Sequence, residues 1–126
     1  MPGMPDTIWT IERHLAGQPA FAISLFHQFI ATVEDIGPFT YAVSKTTITL
    51  KGSRRGFAGA RPYRLGLRGY FDLQREVQDA RITSVAPYTS GLFVHHFRVA
   101  SSDQLDDQFA GWLREAYAVG EGAHLR

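Results

Sequence analysis

The sequence predicts an α+β domain. It should be a single-layer antiparallel sheet of about five strands, with an N-terminal and a C-terminal helix packed on one face. Three observations predict it. Apolar residues recur at helical spacing near each end of the chain, over 19–36 and 101–120. Between them the apolar residues alternate with polar ones, the period of a strand with one buried face. The strands are not interleaved with helices, which favours an antiparallel sheet over a βαβ fold. At 126 residues the chain suits one domain, 1–126, since domains run to about 100–200 residues.

In chain order, residues 1–6 read as a frayed end and 7–18 as an arm or single helical turn carrying Trp9, Ile11 and Leu15. Pro19 suits the first position of a helix, where its missing N–H is no loss. Leu25, Phe26, Phe29, Ile30 and Val33 form the stripe of that helix, and Gly37-Pro38 ends it. Short strands are expected at 39–43, 46–51 and, more weakly, 55–61, where Gly56 and Gly59 interrupt. The strongest strand pattern is 63–73, with Leu65, Leu67, Phe71 and Leu73 inward and Arg64, Arg68, Tyr70 and Asp72 outward. A polar connection at 74–81 precedes strands at 82–85 and 92–99. Ser101 and Gln104 match a capping box for the last helix, with Leu105, Phe109, Trp112, Leu113, Ala116 and Tyr117 as its buried stripe and Gly120 as its end.

Composition narrows the function classes. There is no cysteine, so disulfides, thiol catalysis and cysteine-ligated metals are excluded. Thirteen basic residues balance twelve acidic ones, unlike the strongly basic domains that bind nucleic acid. No apolar run is long enough for a membrane span and no secretory leader is visible, so a cytoplasmic protein without a membrane partner is expected. Phosphate-cradling glycine loops and nucleophile elbows are missing, so no cofactor is expected.

His95-His96 invites a metal reading. Neighbours on a strand point to opposite faces, and no second histidine stands at ligand spacing, so no metal site is expected. His95 shares its face with Phe93, Phe97 and Val99, and the plain reading is a buried, hydrogen-bonded side chain. The functional alternative makes His95 a general acid or base in a polar pocket with Tyr117, Glu115 or Lys45, an enzyme of unspecified reaction. Asp103, Asp106 and Asp107 suit a helix start better than a magnesium site. Gly56-Phe-Ala-Gly59 matches a bare G-x-x-G in β-rich sequence, the wrong setting for an RNA-binding KH loop.

The charge distribution is more telling. From Lys45 to Arg68 there are seven basic residues and no acidic one. If the helices cover the apolar sheet face, the other face presents Lys45, Arg64, Arg68, Tyr70, His96 and Arg98 as a candidate ligand-binding set. Arginines there would hold a carboxylate or phosphate, and Tyr70 would stack on a ring. The bland alternative is a solvated face whose charges prevent sheet-to-sheet pairing. A third reading is a homodimer across this face, centred on Leu92 and Val94 and ringed by Arg98, Tyr70 and Thr49. The leading functional reading is a small binding module for an anionic small molecule or nucleic acid.

The block HHFRVASSDQLDDQFAGWLREAYAVG (95–120) resembles the C-terminal part of a bacterial family with a domain of unknown function, DUF5655. ERHLAGQPAFAISLFHQFIATVEDIGP (12–38) and SKTTITLKGSRRGFAGARPYRLGLRGYF (44–71) resemble it too, in the same order. The motifs are a helix opening after a small-residue turn, Lys-Thr before a strand, and a His-x-Phe-Arg strand leading into an L-D-D helix ending W-L-x-E-A-Y. Gln18-Pro19-Ala20 departs from the expected Pro-Pro pair, which touches only the helix start. The resemblance implies no activity for any residue. Related domains beside nuclease modules imply a nucleic-acid context.

Overall fold

The computed structural model describes residues 8–89 and 91–125 and has the α+β architecture. The expected frayed end, 1–6, lies outside the described residues. Helices α1 (Ile11–Leu15) and α2 (Ala20–Ile36) precede strands β1 (Thr40–Val43), β2 (Ile48–Lys51), β3 (Gly56–Tyr63), β4 (Gly66–Leu73), β5 (Ile82–Pro87) and β6 (Phe93–Val99). A 3₁₀ turn (Ser102–Gln104) leads into α3 (Asp107–Gly120). The six strands form one antiparallel sheet in the order β1-β2-β3-β4-β6-β5. Both long helices pack on one face, over β3 and β4. No helix among the described residues is long and apolar enough to cross a membrane.

The sheet has six strands rather than about five because the expected strand 63–73 is two. Arg64 and Leu65 form the turn of the β3–β4 hairpin, and Leu65 is half exposed rather than inward. Gly66 carries the turn at φ +142, a conformation that a side chain rarely adopts. The final helix also starts later than its capping box implies. Ser101 and Gln104 cap the 3₁₀ turn, and Asp106 caps α3 by accepting from Phe109 N–H at 2.9 Å. Pro19 stands at the N-cap of α2 rather than inside it, and Gly37 is extended rather than left-handed.

The core is an aromatic stack between the sheet and the helices. Phe71 lies 5.7 Å from Phe97 and Phe109, 5.8 Å from Trp112 and 5.5 Å from His95, measured between ring centres. Phe29 of α2 closes it against Phe97 at 5.9 Å. Ring contacts of this kind add to the area they remove from water. Buried Arg81 ties the start of α3 to the sheet. Its guanidinium reaches Asp79, Asp106, Gln108 and the Gln104 carbonyl at 2.7–3.1 Å, and lies over the Trp112 ring. At the other end, His14 of α1 bonds the Ser44 carbonyl at 2.7 Å and pins the β1–β2 turn.

Candidate functional site on the outer sheet face

The helices cover only one face. Strand register shows what the other face carries. Thr49, Gly59, Tyr70, His96 and Ser84 stand opposite one another across β2, β3, β4, β6 and β5. One rung along, Arg61, Arg68 and Arg98 are direct cross-strand neighbours on β3, β4 and β6. Among the described residues, no carboxylate lies within ion-pair distance of these three arginines. Like charges directly opposite one another destabilise a sheet. Burial, and then the Arg68 charge, hold the Arg61 guanidinium below its ordinary pKa. The Tyr63 ring lies 5.5 Å from Arg68 and 5.9 Å from Arg98 and partly offsets their charge.

A cavity of about 390 Å³ opens beside this row, lined by Thr46, Thr47, Arg61, Arg68, Gly69, Tyr70 and His96. Gly59 makes room for the Tyr70 ring that lines it. A Cβ there would lie 2.6 Å from Tyr70 Cε1 and 2.9 Å from Thr47 Oγ1, so only glycine lets the Tyr70 ring lie across β3. The Tyr70 hydroxyl then meets Thr49 Oγ1 at 3.3 Å. Ser84 Oγ shares a hydrogen bond with His96 Nδ1 at 3.3 Å.

A second depression, of about 490 Å³, adjoins the first and shares Tyr70; Arg55, Gly56, Asp72, Tyr88 and Val94 complete it. Asp72 faces outward by alternation yet is only 3% exposed. Its Oδ2 accepts from Arg55 at 2.9 Å, and its Oδ1 has no hydrogen-bond partner among the described residues. Burial outweighs the attraction of Arg55 and pushes the Asp72 carboxyl up to about 6. The folded chain therefore holds this proton more tightly than the unfolded one, whose aspartates titrate near about 3.9. Stability gains from Asp72 as pH falls through 6, opposite to a paired surface carboxylate. His95 acts the other way: burial lowers its pKa, so its contribution is lost as pH falls below about 6.5. Asp72→Asn isolates the first effect. Its stability relative to the parent should fall by about 2 kcal/mol between pH 7.5 and 4.5 in urea titrations. A pH-independent difference would show that Asp72 titrates normally.

The sequence-selected residues divide accordingly. Arg68, Tyr70 and His96 come together in the first cavity, and Arg98 extends the arginine row. Lys45 sits in the exposed β1–β2 turn, next to Thr46, and Arg64 in the exposed β3–β4 turn; neither lines the cavity. Arg61, Thr46, Thr47 and the whole Asp72 depression were missed. Arg61 had a signal: if Ala58, Ala60 and Pro62 are the inward set of β3, then Gly59, Arg61 and Tyr63 face out. Leu92 is buried rather than exposed, so the apolar centre expected for a homodimer reduces to half-buried Val94.

His95 is buried in the core. Its Nε2 accepts from Val77 N–H at 2.9 Å, so Nδ1 carries the proton and donates to the Phe93 carbonyl at 3.0 Å. With both nitrogens used and the ring stacked on Phe71, His95 is built as a structural residue. Glu115 is held by two hydrogen bonds from Arg75, and Tyr117 donates to the Pro38 carbonyl at 2.7 Å. Among the described residues, no three histidine, aspartate or glutamate side chains are grouped to hold a metal ion.

No curated protein and no solved structure matches the chain. A family model does, over residues 11–120, which spans every helix and strand from α1 to α3. The chain belongs to the family described as domain of unknown function (DUF5655).

Proposed function

We propose that this chain is a binding module whose outer sheet face takes a phosphate-bearing ligand. The observation that supports the reading is the row Arg61–Arg68–Arg98, three like charges in direct register with no carboxylate among the described residues to neutralise them. Such a row costs stability unless an anion completes it. Guanidinium groups bind phosphate oxygens two at a time, and threonine hydroxyls and His96 border the same cavity. Calorimetric titration with pyrophosphate at fixed ionic strength tests it. Saturable binding is expected, weakening as chloride rises. Heats indistinguishable from those of chloride alone would overturn the reading.

A further inference from the structure

We propose that the ligand is a nucleotide, its phosphate at Arg61 and Arg68 and its base in the adjoining depression, where a base N–H donates to Asp72 Oδ1. This rests on the phosphate reading above and extends it to the rest of the ligand. Asp72 Oδ1 is a buried acceptor without a donor among the described residues, and buried polar atoms in folded proteins nearly always have one. It lines a depression whose other walls include two tyrosines and a valine. Tyr88 is 59% exposed, and its ring is steadied by the Arg55 guanidinium at 5.1 Å. An acceptor that shares a depression with two aromatic rings suits a flat heterocycle with an N–H on its edge. A simple amine would satisfy Asp72 and leave the tyrosines bare.

The spacing agrees. Arg68, Tyr70 and Asp72 follow one another on one face of β4, and four residues of strand span about 13 Å. A bare phosphate occupies one end of that line; a phosphate, sugar and base occupy all of it. Tyr70 borders both depressions and would lie beneath the sugar. The same chemistry is offered by a free mononucleotide and by one nucleotide of a single strand.

The test is calorimetric titration of the full chain with ribose 5-phosphate, the four nucleoside monophosphates and single-stranded decamers of each base. At least one monophosphate should bind roughly tenfold more tightly than ribose 5-phosphate. In Asp72→Asn the amide oxygen meets Arg55 and its NH2, a donor, takes the place of Oδ1, so the variant should erase that advantage and leave ribose 5-phosphate binding unchanged. Tyr88→Ala, at an exposed position that the fold tolerates, should reduce it as well. Tighter binding of the preferred base as a decamer would identify a strand as the source, and the reverse a free nucleotide. Equal affinity for ribose 5-phosphate and every monophosphate would overturn the base site and leave the phosphate site standing. Binding of none of them would overturn both.

Discussion

Replacing Phe71 with alanine should destabilise the fold by about 3–5 kcal/mol, the range for losing a fully buried phenylalanine. The upper part of that range applies here. Phe71 is fully buried, and its ring touches Phe97 and His95 on β6 and Phe109 and Trp112 on α3. These neighbours belong to different elements, each held by its own strand pairing or helix, so they cannot collapse into the space. Domains of this size are stable by only about 5–15 kcal/mol, so the variant should lose a large share of that margin. Equilibrium urea unfolding measures it. A loss below about 1 kcal/mol would mean that the aromatic stack is not the centre of the core.

The double variant Arg61→Gln, Arg68→Gln should lose at least tenfold in pyrophosphate affinity while its melting temperature stays level or rises. Two effects oppose each other in the ligand-free chain. Removing two charges from the row relieves repulsion between direct cross-strand neighbours. It also removes the contact between Arg68 and Tyr63, worth about 0.5–1 kcal/mol at an exposed site. Neither arginine gives up an ion pair among the described residues, so the relief should at least match the loss. A residue that weakens the ligand-free fold and serves binding is expected to behave in this way. Thermal melts and titration calorimetry on the same preparations decide it. A clear fall in melting temperature with unchanged pyrophosphate affinity would make the row structural.

Much of this architecture was legible in the chain. The stripe of α2 and, within α3, Phe109, Trp112, Leu113 and Ala116 are buried as helical spacing requires, whereas Leu105 precedes the helix and Tyr117 is only partly buried. Where reading failed, the reason is local. The β3–β4 turn was hidden because Arg64 and Leu65 continue the polar-apolar alternation of the strands on either side. Only Gly66 marked the break. The start of α3 was misplaced because a sound capping box, Ser101 with Gln104, opens a 3₁₀ turn before the helix proper.

The candidate site was half legible. Alternation along β4 and β6 placed Arg68, Tyr70, His96 and Arg98 on one face, which the strand register bears out. Arg61 escaped because the inward set of β3, Ala58, Ala60 and Pro62, is small and gives only a faint alternation by which to orient it. Asp72 was assigned to the correct face, but its burial depends on Arg55 and Tyr88, residues from two other parts of the chain. Strand period cannot report such a contact. Lys45 and Arg64 belong to the same basic run but fall in turns, where charge clustering in sequence does not become clustering in space.

The ligand site we propose is the outer face of the sheet at the arginine row. Titrating pyrophosphate into isotope-labelled protein while recording backbone amide NMR shifts tests it most directly. Saturable shifts concentrated at Thr47, Gly59, Arg61, Arg68, Gly69, Tyr70 and His96 are expected, with α2 and α3 unmoved. Saturable shifts confined to the helical face, or to the Arg54–Gly122 end where the β2–β3 turn meets the end of α3, would contradict it.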